Sequence, residues 1–104
     1  MAFHALEKLI NLQDGYKRAF KIAGQDVILV QENGRPYLLA NTCPHMGVSL
    51  NSATLLPQGL IRCNAHGIEF DLESGRALGP LSSMLECLQK FELVYDGPNI
   101  GVDL

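Results

Sequence analysis

Two short segments of this chain, Cys43-Pro44-His45 and Cys63-Asn64-Ala65-His66, each place a thiol beside an imidazole, with 17 residues between them. Two of the three cysteines and two of the three histidines are concentrated there. The surrounding stretch, residues 41–80, carries most of the Cys, His, Gly and Pro punctuation and little period-2 alternation, so these donors are expected on loops. Four soft or borderline donors on two loops imply a metal.

The order of the donors bears on which metal. Zinc fingers commonly place two Cys together and two His together, whereas each segment here mixes them, as C-x-H and C-x-x-H. A binuclear iron-sulfur centre accommodates that order. If each loop gives its Cys to one iron and its His to the other, two loops grip both ends of an Fe₂S₂ rhomb. A mononuclear tetrahedral zinc site, in a structural zinc-binding module, is the other reading of the same residues.

Outside this stretch the pattern is that of strands. A chain of 104 residues, 47% hydrophobic and 18% charged, is expected to form one globular domain, residues 1–104. Asn33-Gly34 supplies the positive φ values of a two-residue hairpin between residues 27–30 and 37–39. A second turn at Ala23-Gly24-Gln25 makes residues 16–40 a three-stranded antiparallel meander. Phe91, Leu93 and Tyr95 alternate with Glu92, Val94 and Asp96, and after Asp96-Gly97-Pro98 the alternation resumes at Ile100, Val102 and Leu104, which predicts another hairpin. The apolar spacing in residues 6–12 and 82–88 fits either a short helix, with Ser82 or Ser83 as a cap, or a turn. The fold class expected is all-β.

Charge and hydropathy remove several functions. No apolar run approaches the ~18 residues of a membrane span, residues 27–30 being the tightest cluster. Residues 1–11 lack the basic segment, apolar core and cleavage site of a secretory signal, so a cytoplasmic location is expected, with no membrane partner. A net charge of −3 is unsuited to nucleic acid. Residues 1–63 carry +2 and residues 64–104 carry −5, an asymmetry that scattered solvated charges can explain.

The run Cys43-Pro44-His45-Met46-Gly47-Val48-Ser49-Leu50, followed by Cys63-Asn64-Ala65-His66-Gly67-Ile68-Glu69-Phe70-Asp71 and Ser74-Gly75, resembles the two cluster loops of Rieske [2Fe-2S] proteins. The motif match spans about residues 41–80; length and strand pattern are closest to the small Rieske ferredoxins of bacterial oxygenases. The resemblance implies a Rieske-like antiparallel β-sandwich or barrel with a small cluster-binding subdomain, about 41–80, formed by two loops. It implies one [2Fe-2S] cluster per chain, with Cys43 and Cys63 on the inner iron and His45 and His66 on the outer, solvent-facing iron.

Each position also has a physical reading. Pro44 stiffens the span between two ligands, and Gly47 and Gly67, without Cβ, let backbone amides approach the cluster sulfurs. Met46, Val48, Leu50, Ile68, Pro80 and Leu81 are candidates for an apolar collar, although Leu50 and Ile68 fit core packing equally well; Phe70 and Leu72 are assigned to the core. Cys87 is read as a small buried apolar residue, and His4 as a surface or strand histidine. Two ferric ions, two sulfides and two thiolates cancel in charge. An oxidised cluster with neutral imidazoles is therefore uncharged, which places such centres at about −150 to +300 mV, above the ~−400 mV of all-Cys clusters. The respiratory-chain relatives carry a disulfide at the positions of Val48 and Ala65, and hydroxyl donors at those of Ile68 and Phe70; neither is present here, so a potential near the low end is expected.

With His45 and His66 used, only His4 remains, so a two-histidine, one-carboxylate iron site cannot be assembled, and no Gly-x-Gly-x-x-Gly fingerprint for a flavin or nicotinamide is present. The expected function is a one-electron carrier that is not itself an enzyme. The resemblance supplies its partners, a flavoprotein reductase as donor and a terminal oxygenase, aromatic-ring enzymes included, as acceptor. The small Rieske-like subunit of an assimilatory nitrite reductase is the alternative within the family.

Overall fold

In the computed structural model, residues 2–42, 49–63, 67–79 and 87–104 are described. Among the described residues ten strands follow one another: β1 (Phe3–Lys8), β2 (Lys17–Ile22), β3 (Gln25–Glu32), β4 (Arg35–Ala40), β5 (Thr54–Leu56), β6 (Leu60–Cys63), β7 (Ile68–Asp71), β8 (Lys90–Phe91), β9 (Val94–Asp96) and β10 (Asn99–Asp103). They form three antiparallel sheets, ordered β1-β10-β9, β2-β3-β4-β8 and β5-β6-β7. The fold is all-β.

The run at residues 27–30 explains how the sheets stack. All four side chains are fully buried, yet neighbours on a strand point to opposite faces. Ile28 and Val30 enter one core, with Leu39, Leu50, Ile61, Phe70, Leu72 and Leu88. Val27 and Leu29 enter a second core with Leu6, Leu38, Ile100 and Val102. The β2-β3-β4-β8 sheet is therefore the middle layer. One face is covered by the terminal sheet, the other by the β5-β6-β7 sheet and the segments that flank it. Each large aliphatic side chain buried this way contributes about 1.5–3 kcal/mol.

The meander expected over residues 16–40 is present, with Ala23 at φ 52° and Gly24 at φ 79° in the first turn and Asn33 at φ 54° and Gly34 at φ 75° in the second. The C-terminal hairpin is also present, pairing Tyr95 with Ile100. Its first arm is not one continuous strand. Phe91 pairs with Leu38 in the middle sheet, and the chain then crosses at Glu92-Leu93 to enter the terminal sheet at Val94. That switch turns Tyr95 outward, 58% exposed, while Phe91 and Leu93 pack on the second core.

Of the two ambiguous stretches, residues 6–12 divide into the end of β1 and a single 3₁₀ turn, Leu9–Asn11. Residues 82–86 lie outside the described residues, and Leu88 belongs to no helix or strand. Residues 54–71, where the sequence shows little period-2 alternation, hold three strands. Their short length and the Pro57-Gln58-Gly59 turn, with Gln58 at φ 72°, obscure the alternation.

Sequence ends meet in the terminal sheet, where Ala2 and Leu104 exchange backbone hydrogen bonds at 3.1 Å. Gly101 permits the close pairing of β10 with β1, because a Cβ there would lie 2.1 Å from the His4 carbonyl oxygen. Gly101→Ala should therefore destabilise the protein by about 1–3 kcal/mol, read as a fall in Tm; an unchanged Tm would refute the crowding.

Glu7 ties the end of β1 to its surroundings. Its carboxylate accepts hydrogen bonds from Asn11 Nδ2 (3.0 Å), Lys8 N–H (2.9 Å) and the Tyr16 hydroxyl (2.9 Å), and Arg18 lies 3.8 Å away. These donors, Asn11 first, hold its pKa at about 2 against an ordinary 4.5, while burial and then Glu7 itself push Tyr16 up to about 12. A depressed carboxyl pKa stabilises the fold above pH 4.5 and loses that contribution as pH falls towards about 2. Glu7→Gln should lower stability in urea unfolding at pH 7, with the gap to wild type closing across that acid window. A gap independent of pH would disprove the assignment.

Candidate metal centre

β4 ends at Ala40, directly before the segment with Cys43 and His45, and β6 ends at Cys63 itself. Along β6 the side chains alternate. Arg62 turns outward and bonds Glu69 on the neighbouring strand (Nη2 to Oε2 2.9 Å, Nε to Oε2 3.2 Å), so Cys63 turns inward. Its thiol is 2% exposed, among Leu50, Ala53, Ile61, Phe70 and Leu72, and it forms no disulfide.

Cys63 pairs with Ile68 of β7, and Gly67, at φ 68°, donates its N–H to the Cys63 carbonyl at 2.8 Å. Among the described residues a Cβ added at Gly67 would meet nothing within 4 Å, so the glycine is there for its left-handed backbone.

Cys43, His45 and His66 lie outside the described residues, as do Pro44, Met46, Gly47, Val48, Ala65, Pro80 and Leu81. Of the four donors expected from the sequence the described residues include Cys63, a buried thiol at a strand end, which fits a cluster ligand. Leu50 proves to be core, fully buried, and Ile68 is half-buried against the same core. Phe70 and Leu72 are core as expected. His4 lies in β1, across the middle sheet from Cys63, and is partly buried. Cys87 is exposed rather than buried. Its neighbour Leu88 takes the inward position and donates its N–H to the Gly75 carbonyl at 2.7 Å, which leaves Cys87 facing out.

Polar ties that the sequence did not announce hold the ligand-bearing sheet to the middle sheet. Glu73, just after β7, accepts from the Tyr37 hydroxyl (3.0 Å) and from Arg35 (3.5 Å), and its carbonyl accepts from Lys90 Nζ. The Lys90 ammonium also sits 5.4 Å from the Tyr37 ring centre. Burial, then the Glu73 contact, raise the Tyr37 pKa. On the opposite side Lys17 of β2 donates to the Ala53 carbonyl, and burial lowers its pKa. Nothing in local patterning marks these residues, because their partners lie 17 to 38 positions away.

The Rieske [2Fe-2S] domain profile matches residues 3–90. The chain belongs to the Rieske [2Fe-2S] family. It is 33% identical, over 86% of its own length and 71% of the relative's, to the ferredoxin component of the alkene monooxygenase system of Xanthobacter autotrophicus. The fold is similar to that of the ferredoxin of carbazole 1,9a-dioxygenase from Nocardioides aromaticivorans, with TM-score 0.83, 23% identity and coverage of 98% of this chain and 97% of that one. It is also similar to a chain in the reduced complex between oxygenase and ferredoxin of carbazole 1,9a-dioxygenase, with TM-score 0.81, 19% identity, and coverage of 96% and 27% respectively. Membership makes the metal centre a Rieske [2Fe-2S] cluster rather than zinc, and makes the chain an electron carrier rather than a catalyst.

Beyond β7, the Rieske domain passes through a turn that Asp71 organises, accepting Glu73 N–H at 3.0 Å and the Ser74 hydroxyl at 3.1 Å. Gly75 follows at φ 79°, where a Cβ would lie 2.7 Å from the Leu88 carbonyl oxygen. Gly75→Ala should displace Leu88 and cost about 1–3 kcal/mol. Hydrogen exchange at the Leu88 amide should accelerate; retained protection would show that the contact is not needed.

Proposed function

We propose that this Rieske protein is a cytoplasmic one-electron carrier, a single domain whose residues 41–80 hold the cluster. Cys43 and Cys63 bind the inner iron and His45 and His66 the outer. A flavoprotein reductase supplies the electron and a terminal oxygenase receives it. The observation that supports the ligand assignment is the inward, buried thiol of Cys63 at the end of β6, three positions before His66 in the sequence. The oxygenase role draws on the alkene monooxygenase ferredoxin and on the complex of oxygenase with ferredoxin in the carbazole system. Among the described residues no helix is long and apolar enough to cross a membrane.

The cluster supplies reversible one-electron storage; the chain supplies ligands, shelter and an exposed end. Imidazoles on the outer iron keep the oxidised centre neutral, so a single negative charge appears on reduction. Ile68 and Phe70, which carry no donor group, stand where hydroxyls would stabilise that charge.

Anaerobically purified protein should contain iron and acid-labile sulfide in equal amounts and show an electron paramagnetic signal on reduction. His45→Ala should abolish the signal; an intact spectrum in that variant would refute the ligand assignment. A redox titration should place the midpoint towards the low end of the Rieske range, and a strongly positive midpoint would contradict the role given to Ile68 and Phe70. Turnover of an oxygenase by a paired reductase should depend on added carrier.

A further inference from the structure

The first ligand segment leaves the middle sheet at Asn41 and rejoins the core at Leu50. The Asn41 backbone N–H donates to the Asp26 carbonyl at 3.0 Å, which anchors the near end to β3. At the far end the Leu50 side chain is fully buried, and its carbonyl accepts the Ala53 N–H at 3.0 Å. One side chain joins the two ends. Asn41 Oδ1 accepts the backbone N–H of Leu50 at 2.8 Å and the Ser49 hydroxyl at 3.3 Å, while Asn41 Nδ2 donates to Asn51 Oδ1 at 2.7 Å. Asn51 returns a bond from its N–H to Ser49 Oγ at 3.1 Å.

We propose that Asn41 is a positioning residue for the cluster, closing the neck of the segment that bears Cys43 and His45 so that both ligands are held in register with the second loop. This rests on the ligand assignment above. A segment pinned at both ends has lost much of its freedom before metal arrives, so less entropy remains to be lost on binding. The acceptor must be short enough to stay at the neck and must reach the Leu50 N–H. Asn or Asp meets both demands, whereas Ala leaves that N–H without its protein acceptor.

The test compares wild type, Asn41→Ala and Asn41→Asp, each purified with its cluster, for bleaching of the visible spectrum by an iron chelator and for the electron paramagnetic spectrum on reduction. Asn41→Ala should bleach about 10- to 100-fold faster, the range typical of lost support to metal ligands, with a broadened signal. Asn41→Asp, which keeps the acceptor, should bleach close to the wild-type rate. Equal rates for Asn41→Ala and wild type, or Asn41→Asp as labile as Asn41→Ala, would overturn the proposal. If Asn41→Ala does not accumulate, Ser49→Ala, which removes the hydroxyl that donates to Asn41 Oδ1 and accepts the Asn51 N–H, should still bleach faster than wild type, and an unchanged rate there would count against the neck equally. Wild-type iron and sulfide content decides the ligand reading separately: a normal content with an insensitive Asn41 sinks the neck alone, whereas absent sulfide sinks the cluster assignment itself.

Discussion

Burial of β3 on both faces is the constraint from which the remaining architecture follows. A strand with four consecutive apolar residues can satisfy its backbone only between two neighbours, and its side chains only between two layers. β2 and β4 supply the neighbours, and the terminal sheet and the β5-β6-β7 sheet supply the layers. The sheet that carries Cys63 thus also forms the lid over Ile28, Val30 and Leu39. Cys63 shares Leu50, Phe70 and Leu72 with that core, so this thiol stands on the protein's interior.

The loops themselves are stabilised by a different class of interaction. Short polar ties lie at their bases: Asn41 to Leu50 at the first and Gly67 to Cys63 at the second, while Leu88 bonds Gly75 beyond β7. Each satisfies a backbone group that would otherwise be left without a partner where the chain leaves a sheet. The Glu73 cluster with Arg35, Tyr37 and Lys90 then joins this assembly to the middle sheet from outside. Exposed ion pairs of this kind add little to stability, and their value lies in orientation. An electron carrier benefits from such rigidity, because ligands that do not shift between oxidation states leave little to reorganise when the electron moves.

Legibility in the sequence followed interaction range. The meander over residues 16–40 was readable because Asn33-Gly34 and Ala23-Gly24 impose turn geometry by their own backbone preferences. The strands of residues 54–71 were hidden because each has only three or four residues and the ligand motif overlies their alternation. Cys87 was misread for a related reason. A lone cysteine in an apolar stretch looks buried, and only the bond between Leu88 and Gly75 decides which neighbour faces inward.

The sequence by itself determined the all-β class and the apolar run of β3, and it is the source of the proposed donor set, since donor chemistry, turn preference and side-chain period are properties of residues and their near neighbours. Tertiary structure alone decided which face of each strand meets which core, where β8 gives way to β9, and which polar side chains reach across the fold to hold the loops. Those outcomes depend on groups far apart in the chain becoming adjacent, and no local pattern encodes a distance that exists only after the sheets have packed.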